Sequence, residues 1–342
     1  MSDDEKFMAE ALELAKKGFG NVSPNPMVGC VIVHDNQIVG RGWHERYGEL
    51  HAERNAVKNI VSKVDISDTT FYVTLEPCNH TGKTPPCTEL LLEAKPKRVV
   101  VCNQDPNPLV AGKGIQRLRD AGIVVEVGVL DHLGEILNKR FFTFMRKQRP
   151  FIILKWAQTV DGFIARENYD SKWISSESSR DLVHTWRSQE DAIMVGTNTA
   201  EYDDPILNVR NGAGRDPIRI VIDRKLRLKN DLNLFDGSIP TLCYNTLKST
   251  SSTNLEYIEL QSDNQFIGDL MADLFQRKIQ SVIIEGGSTL LQLLIDNHLW
   301  DEIRLFKSPN RFGAGIQGPE IVGRPISKET VDTDVLEYWE PQ

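Results

Sequence analysis

The sequence predicts an α/β protein of two domains, and three observations lead to this expectation. Its 342 residues exceed the roughly 250–300 at which a single hydrophobic core usually stops growing. Apolar runs alternate with helical stretches in both halves, which is typical of α/β domains. The basic segment MRKQRP ends at Pro150, and a new apolar run, FIILKWA, begins at once. We therefore expect one domain at residues 1–149 and another at residues 150–342.

The first half predicts helices and strands in alternation. Its first segment, MSDDEKFMAEALELAKKGFG, reads as an amphipathic helix and lacks the apolar core of a cleavable signal. The runs MVGCVIV and QIVGRGW flank the turn-like HDN and predict a hairpin. A helix is expected from near His51, a strand at TTFYVTL, and a helix from Cys87 to Glu93. RVVVC and GIVVEVGVL follow with the helical AGKGIQRLRDAG between them, and residues 131–149 read as one helix.

The second half predicts another α/β domain, with strands at FIILKWA, DAIMVG, PIRIVID, PTLCY, YIEL, SVIIEGG and EIRLF. Residues 248–254, KSTSSTN, are expected to form a polar loop. One G-x-G-x-x-G occurs at Gly313, Gly315 and Gly318, but it precedes Pro319 and follows the loop SPNRF. It leaves only about 24 residues for a βαβ unit that needs 30 or more. We therefore interpret it as a turn-rich loop and not as a nucleotide-binding fingerprint.

Composition and charge exclude several classes of protein. Hydrophobic residues make up 40% of the chain and charged residues 26%, which excludes a disordered or fibrous chain. A membrane span would need roughly 20 consecutive apolar residues, and none is expected. Residues 1–150 hold 20 Lys/Arg and 19 Asp/Glu (+1), and residues 151–342 hold 20 and 29 (-9). Neither half has the basic excess of a nucleic-acid binder. Five scattered cysteines are unlike a secreted disulfide framework and favour a cytoplasmic protein.

A zinc site for hydrolytic chemistry is indicated by His-Ala-Glu at residues 51–53 and by Pro-Cys-Asn-His-Thr-Gly-Lys-Thr-Pro-Pro-Cys at residues 77–87. One imidazole, His51, and two thiolates, Cys78 and Cys87, supply three ligands and leave the fourth position for water. Glu53 is placed to carry a proton from that water to a leaving amine. The order H-x-E…P-C…C is the signature of the nucleobase deaminases. Here eight residues separate the cysteines, where P-C-x-x-C is commoner.

The alternative is a structural zinc site, or two unrelated buried cysteines. A closed site needs a fourth protein ligand, which His44 or His80 could supply. Such a site would not require Glu53 or the proline before Cys78. The other cysteines, Cys30, Cys102 and Cys243, are interpreted as core residues.

Longer strings identify a family. SPNPMVGCVIV, GWH, HAE and EPCNHTGKTPPC resemble the deaminase domain of the bifunctional riboflavin-biosynthesis deaminase/reductases. LKWAQTVDG, SKWIS, VGTNTAEYDDPILNVR, IRIVID and EGGSTL resemble the reductase domain of the same family. The resemblance implies a cytidine-deaminase-like domain followed by a domain similar in fold to dihydrofolate reductase. It also implies zinc and NADPH as cofactors, and a phosphorylated pyrimidine as the small-molecule substrate.

By this resemblance, the first domain deaminates 2,5-diamino-6-(5-phosphoribosylamino)pyrimidin-4(3H)-one. The second reduces the ribosyl group of the product and yields 5-amino-6-(5-phosphoribitylamino)uracil. Position by position, Asn25 holds the ring near the metal, and His44, His80 and Lys83 contact the substrate. Lys83 suits the phosphate because its ammonium is a flexible point charge.

The reductase residues are also assigned by resemblance. The residues that bind the cofactor are Ala157, Trp173, Thr199, Asp203, Gly287, Ser288 and Thr289. Those that bind the phosphorylated sugar of the substrate are Ser171, Arg187, Leu207 and Arg210, and Glu285 also binds the substrate. Two arginines suit a phosphate because a guanidinium donates bidentate hydrogen bonds, and glycines before a helix start allow close approach of an anion. No role follows for Lys155 or Asp161, and no residue is assigned to select NADPH over NADH.

Two other functions share some of these features. A nucleic-acid-editing deaminase would use the same zinc motif but predicts a basic face and stacking aromatics. A zinc-stabilised binding module predicts that Glu53→Gln leaves function intact. Some members of the family are homo-oligomers, and we extend this to the present chain as an expectation. The sequence leaves the relative orientation of the domains and any transfer of intermediate between them open.

Overall fold

The computed structural model describes residues 1–61, 63–81, 85–107, 110–172, 174–210, 214–261 and 265–341. The chain divides into two compact units, Met1–Gln148 and Arg149–Gln342. Each unit combines helices with its own β-sheet, so the predicted α/β class is confirmed. Among the described residues, no helix is both long enough and apolar enough to cross a membrane.

The first unit is a five-stranded sheet with helices. Its elements are α1 (Asp3–Lys16), β1 (Gly29–His34), β2 (Gln37–Trp43), α2 (Ala52–Lys58), β3 (Thr70–Leu75), α3 (Cys87–Ala94), β4 (Arg98–Asn103), α4 (Lys113–Asp120), β5 (Val124–Val127), α5 (Asp131–Leu137) and α6 (Lys139–Lys147). The strand order is β2-β1-β3-β4-β5. β1 is antiparallel to β2 and β3, whereas β3, β4 and β5 run parallel.

Local sequence explains several of these elements. Ser2 caps α1, because its hydroxyl accepts from the Glu5 N–H while the Glu5 carboxylate accepts from the Ser2 N–H. The predicted hairpin of β1 and β2 is confirmed, and its turn residues Asp35 and Asn36 both have positive φ, at 46° and 61°. Such turns match the twist of the strands they join. β1 is buried along almost its whole length between helices on the two faces of the sheet.

The second unit is built on a ten-stranded sheet. Its elements are β6 (Phe151–Thr159), β7 (Phe163–Ala165), α7 (Glu177–Gln189), β8 (Ala192–Gly196), α8 (Thr197–Asp203), β9 (Ile218–Ile222), β10 (Thr241–Asn245), β11 (Thr250–Ser252), β12 (Leu255–Glu259), α9 (Phe266–Gln276), β13 (Ser281–Glu285), α10 (Ser288–Asp296), β14 (Glu302–Ser308), β15 (Ile316–Gln317), β16 (Ser327–Val331) and β17 (Asp334–Trp339). The order is β11-β12-β10-β9-β8-β13-β6-β14-β17-β16, and β7 pairs separately with β15.

The seven central strands of this sheet, from β12 to β14, run parallel. Two apolar clusters of buried side chains cover its two faces. Because parallel strands all end at one edge of a sheet, the loops after β6, β8, β9 and β13 meet there. Ligands of open α/β sheets bind outside these carboxyl ends.

Three segments differ from the sequence-based expectation. Residues 131–149 form two helices, not one, because the side chain of Asn138 at the break accepts from the Met27 N–H and donates to the Met27 carbonyl, both at 2.8 Å. Part of the expected polar loop at residues 248–254 is the short strand β11, which pairs with β12. The third difference is a group of strands, β7, β16 and β17, that were not anticipated. The G-x-G-x-x-G at residues 313–318 forms bends and the two-residue strand β15. No helix begins at these glycines, which agrees with the interpretation as a loop.

Candidate active sites

A candidate metal site in the first unit is formed by one histidine and two cysteines. His51 is the N-cap of α2, Cys78 lies in the loop after β3, and Cys87 is the first residue of α3. Their ligand atoms all lie within 4.8 Å of one another. The Nδ1 atom of His51 is 3.5 Å from the Sγ atom of Cys78 and 3.4 Å from that of Cys87.

These distances fit a tetrahedral zinc ion. Bonds of about 2.3 Å to sulfur and about 2.0 Å to nitrogen place N and S ligands about 3.5 Å apart at tetrahedral angles. One nitrogen and two soft sulfur donors are also the donor types that zinc takes. The backbone N–H of Cys87 donates to the Cys78 sulfur at 3.3 Å. Hydrogen bonds from Cys87 and His51 outweigh burial and lower the pKa of Cys78 to about 4, whereas the hydrogen bond to Cys78 and burial raise the pKa of Cys87. The pair therefore favours Cys78 as the first of the two thiolates that a metal needs.

Glu53 lies in the first turn of α2 and is 3% exposed. Its Oε2 atom accepts from the Cys87 thiol at 3.2 Å. Burial, reinforced by the negative Cys78, raises the pKa of Glu53. A buried carboxyl group beside three metal-type donors is placed to act as a proton acceptor and donor.

His44 and Asn25 lie against the cluster but cannot complete it as ligands in this geometry. The Nδ1 atom of His44 faces the Leu50 carbonyl at 3.1 Å, and a carbonyl only accepts, so Nδ1 carries the proton. The amide of Asn25 then donates to His44 Nε2 at 3.1 Å. Burial lowers the pKa of His44 and keeps the ring neutral. His80 is exposed. The metal cluster of the described residues contains neither histidine, which argues against the closed structural site.

Lys83, the expected phosphate partner, lies outside the described residues. Asn79, which follows the ligand candidate Cys78, accepts through its Oδ1 atom from the Thr88 hydroxyl at 3.1 Å and from the Arg117 guanidinium at 2.8 Å. No motif predicted these contacts, because Thr88 and Arg117 lie outside the zinc motif.

Two further supporting residues were also missed. A Cβ at Gly42 of β2 would lie 2.2 Å from the Ala56 nitrogen, so only glycine lets α2 approach the sheet this closely. Glu76, just before the Pro-Cys pair, accepts backbone N–H bonds from Gly112, Gly114 and Ile115, the start of α4. It thereby ties the metal loop to the neighbouring helix. A glycine inside a strand pattern can mark a close approach of another backbone, and this is the one signal that could have predicted the role of Gly42.

In the second unit, a cavity of about 440 Å³ lies at the carboxyl ends of the parallel strands. Eleven of the residues assigned to the reductase line it: Ala157, Ser171, Arg187, Thr199, Asp203, Leu207, Arg210, Glu285, Gly287, Ser288 and Thr289. The twelfth, Trp173, lies outside the described residues. The fold therefore brings together residues that are up to 132 positions apart in the chain.

An ion cluster forms one wall of this cavity. Arg187 donates to Glu285 through Nε at 2.8 Å and through Nη2 at 2.9 Å. The ammonium of Lys155 lies 3.5 Å from the same carboxylate. Burial opposes ionisation of Glu285, but the two cations outweigh it and lower its pKa to about 2. Glu285 is thus a fixed anion that can accept hydrogen bonds from substrate hydroxyls.

The loop between β13 and α10 is shaped for close contact with a ligand. Gly286 and Gly287 have φ of 120° and 50°, and a Cβ at Gly286 would lie 2.6 Å from the Thr199 side chain. Only glycine therefore fits at position 286. The nine-residue helix α10 begins at Ser288, so its free N–H groups favour a phosphate at this end of the cavity. These features fit a dinucleotide cofactor.

Asp203 and Ser171 meet across the cavity, where the serine hydroxyl donates to the carboxylate at 3.0 Å. Burial raises the pKa of Asp203. His184, which the sequence analysis did not single out, lines the same cavity and contacts the Asn208 carbonyl through Nδ1 at 3.2 Å. Asp161 has a structural contact, since it accepts from the Thr159 hydroxyl at 2.6 Å and from the Gly313 N–H at 2.9 Å.

Comparison with known families matches both halves of the chain. Residues 150–336 match the family described as RibD C-terminal domain. Residues 1–103 match the cytidine and deoxycytidylate deaminase zinc-binding region.

Curated relatives match nearly the whole chain. The riboflavin biosynthesis protein RibD of Actinobacillus pleuropneumoniae is 40% identical over 338 residues, which cover 95% of this chain and 89% of that protein. The protein of the same name from Escherichia coli strain K12 is 38% identical over 332 residues, which cover 92% and 90%.

Two solved structures are also similar to nearly the whole chain. A Thermotoga maritima protein, described as a diaminohydroxyphosphoribosylaminopyrimidine deaminase/5-amino-6-(5-phosphoribosylamino)uracil reductase, superposes with a TM-score of 0.89 and is 36% identical over 99% of both chains. The RibD of Acinetobacter baumannii has the same TM-score and coverage at 33% identity.

Proposed function

The chain belongs to the RibD family of riboflavin biosynthesis proteins, and on this premise we propose which reaction each domain carries out and with which residues. The protein is a bifunctional enzyme of riboflavin biosynthesis, a zinc-binding deaminase joined to a reductase that uses NADPH. We assign the deaminase to residues 1–149 and the reductase to residues 150–342.

For the first domain, the proposed substrate is 2,5-diamino-6-(5-phosphoribosylamino)pyrimidin-4(3H)-one. The name of the Thermotoga maritima protein supports this choice. Hydrolysis adds water to the ring carbon that bears the 2-amino group, and ammonia leaves. The observation that carries this proposal is the buried Glu53 carboxyl, 3.2 Å from the Cys87 sulfur within the His51, Cys78 and Cys87 cluster.

His51, Cys78 and Cys87 would hold the zinc ion, which would supply a water activated for attack at neutral pH. Glu53, which is buried beside these three residues, would accept a proton from that water and deliver it to the departing nitrogen. Asn25 holds the ring near the metal, His44 and His80 contact the substrate, and Lys83 is the partner of its phosphate.

For the second domain, the proposed reaction reduces the ribosyl group of the deaminated product to ribityl. NADPH supplies the hydride, which is the chemistry of the cofactor. Arg210 and Arg187 bind the phosphate, Ser171 and Leu207 contact the phosphorylated sugar, and Glu285 contacts the substrate. The cofactor is held by Ala157 of β6, by Thr199 and Asp203 of α8, by Gly287, and by Ser288 and Thr289 at the start of α10, together with Trp173, which lies outside the described residues.

We further propose that the enzyme is a cytoplasmic homo-oligomer that binds no nucleic acid and no membrane. The five cysteines are all free of disulfides, which supports a reducing compartment. The +1 balance of the deaminase half supports a small-molecule substrate over a polynucleotide. The oligomeric state rests on the family resemblance alone.

The decisive experiment assays the two activities separately in Glu53→Gln. Ammonia release from the diamino substrate should fall at least 100-fold, the usual contribution of a positioned acid–base group. NADPH loss with the deaminated substrate should remain unchanged. The matched control is Glu89→Gln, because Glu89 is exposed and stands two residues after Cys87 in the first turn of α3, as Glu53 stands after His51.

Glu89→Gln should keep both activities. Normal ammonia release by Glu53→Gln would refute the deaminase mechanism and would favour a zinc-stabilised binding module. A faster reaction with single-stranded nucleic acid would favour an editing deaminase. For the reductase, Arg210→Ala should raise the KM for the substrate phosphate at least 10-fold, and an unchanged KM would place the phosphate elsewhere.

A further inference from the structure

The reductase cavity carries a pair of stacked tyrosines, Tyr169 and Tyr202, at its opening. Their ring centroids lie 4.1 Å apart, and the two ring planes are inclined by only 1°. Both side chains line the cavity of about 440 Å³, yet they remain 39% and 53% exposed. The pair therefore lies where the cavity meets solvent. Neither tyrosine belongs to the residues proposed above to bind the substrate or the cofactor.

The two rings join two separate parts of the second unit. Tyr169 lies in the loop between β7 and α7, and Tyr202 lies in α8. Another contact joins the same two parts beside the rings, because the Ser171 hydroxyl donates to the Asp203 carboxylate at 3.0 Å. The loop is therefore attached to α8 by an aromatic stack and, two residues further along the loop, by a hydrogen bond.

We propose that Tyr169 and Tyr202 are positioning residues of the reductase, which keep Ser171 and Asp203 at the cavity while these two residues bind their ligands. The inference rests on the proposed function, in which Ser171 contacts the phosphorylated sugar and Asp203 contacts the cofactor. It adds the contact that holds the loop beside α8 in the ligand-bound enzyme.

The hydrogen bond between Ser171 and Asp203 does not survive the binding of substrate. A serine hydroxyl has one hydrogen to donate, so Ser171 gives up its bond to Asp203 when it donates to an oxygen of the phosphorylated sugar. The loop thereby loses this attachment to α8 at the moment the ligand binds. The stack of Tyr169 on Tyr202 uses neither of these polar groups, so it remains and keeps the loop in place.

The backbone of the loop is shaped to present the Tyr169 ring. Tyr169 has a φ of 67°, in the left-handed region that a bulky residue adopts only where its surroundings hold it. The Tyr169 N–H donates to the Arg166 carbonyl at 3.0 Å, and the Arg166 N–H donates to the Asp170 carbonyl at 2.9 Å. The Arg166 guanidinium lies 4.1 Å from the centroid of the Phe312 ring, a cation–π contact that fixes the base of this turn. The stack on Tyr202 then offsets the cost of the unusual backbone.

Loss of the stack should weaken binding and leave the chemical step intact. A ligand that needs the loop beside α8 binds with its intrinsic dissociation constant divided by the fraction of molecules that have this arrangement. A stacked aromatic pair shifts such an equilibrium about 2- to 10-fold. Removal of either ring should therefore raise the KM for NADPH and for the deaminated substrate by this factor, whereas kcat at saturation should stay unchanged.

The test compares the full-length wild type with Tyr169→Leu, Tyr202→Leu and the double variant, because leucine removes the flat ring and keeps an apolar side chain. Each single variant should raise both KM values about 2- to 10-fold, and the double variant should raise them no further, since both changes break the same stack. Tyr202→Phe keeps the ring and should keep the wild-type constants. Tyr257→Leu is the matched control, because Tyr257 stacks on Phe235 in the same unit and neither of them is among the described residues that line the cavity.

Titration calorimetry separates positioning from a direct contact with the pyrimidine ring. Ribose 5-phosphate carries the phosphorylated sugar without the pyrimidine, so Tyr202→Leu should bind both this probe and NADP⁺ about 2- to 10-fold more weakly. Ammonia release should stay unchanged in every variant.

Three results would overturn the inference: unchanged affinity for both probes, a loss seen only with the substrate that bears the pyrimidine, or losses that multiply in the double variant. Failure of the wild type to consume NADPH or to bind either probe would instead overturn the proposed reductase function, and this inference with it.

Discussion

Replacing Glu285 by Gln would remove the negative charge that lies between Arg187 and Lys155 and keep the size of the side chain. The pKa of Glu285 is about 2 in the folded protein, against a reference value of 4.5. This difference of about 2.5 units corresponds to about 3 kcal/mol of folding free energy at neutral pH, at 1.36 kcal/mol per unit. The carboxylate is only 12% exposed, so solvent screens little of this energy.

The sign of the pH dependence follows from the lowered pKa. Because the folded state holds the proton of Glu285 less tightly than the unfolded state, the stabilisation is complete well above pH 4.5. It is lost as the pH falls from about 4.5 towards about 2. The difference in unfolding free energy between wild type and Glu285→Gln should be about 3 kcal/mol at pH 7 and about 1 kcal/mol smaller at pH 4.

Urea unfolding followed by tryptophan fluorescence measures this difference in the whole chain. Five of the six tryptophans follow residue 148, so the signal reports mainly the second unit. Glu320→Gln is the matched control, because Glu320 is an exposed carboxylate of the same unit, and it should leave the unfolding free energy unchanged at both pH values. A gap for Glu285→Gln that is the same at pH 7 and pH 4 would refute the view that this carboxylate is ionised and paired in the folded state.

Three other perturbations have distinct expected outcomes. Gly42→Ala should lower ammonia release more than 10-fold with NADPH loss unchanged, because the new Cβ would lie 2.2 Å from the Ala56 nitrogen and displace α2 with Glu53; an active variant would show that α2 can shift freely. Gly268→Ala should raise the unfolding free energy measured in urea by about 0.5–1 kcal/mol, because a Cβ added to this helical glycine would meet no atom within 4 Å; an unchanged or lower free energy would contradict this reasoning. Dialysis against a chelator should abolish ammonia release but not NADPH loss, and added zinc should restore it; retained ammonia release in metal-free protein would contradict a zinc site at His51.

The elements that the sequence predicted are those whose signals are local. The hairpin of β1 and β2 has two apolar runs around a short turn, and α3 begins at Cys87. The break between α5 and α6 depends on a bond from Asn138 to Met27, 111 residues away, and no local pattern can show it. The strands β11 and β16 are exposed and polar, so they lack the alternation of apolar residues that predicts a strand.

The two sites also differed in how far the sequence could predict their residues. The metal donors lie within 37 residues, and the H-x-E and P-C spacings follow from the chemistry of a zinc-activated water. The residues proposed for the reductase come from strands, helices and loops that are far apart in the chain, and their spacing carries no geometric information. They could be assigned only through the resemblance to a family.

The two buried glutamates show why residue type alone does not determine a role. Glu53 and Glu285 are both shielded from solvent, but their surroundings move their acidities in opposite directions. Burial and the neighbouring Cys78 raise the pKa of Glu53, whereas Arg187 and Lys155 overcome burial and hold the pKa of Glu285 at about 2. This difference suits Glu53 to the proton transfer that we propose for it, and it suits Glu285, which keeps its charge, to the proposed contact with the substrate. Adding a cation beside Glu53, or removing one beside Glu285, would make each resemble the other and impair the activity of its domain.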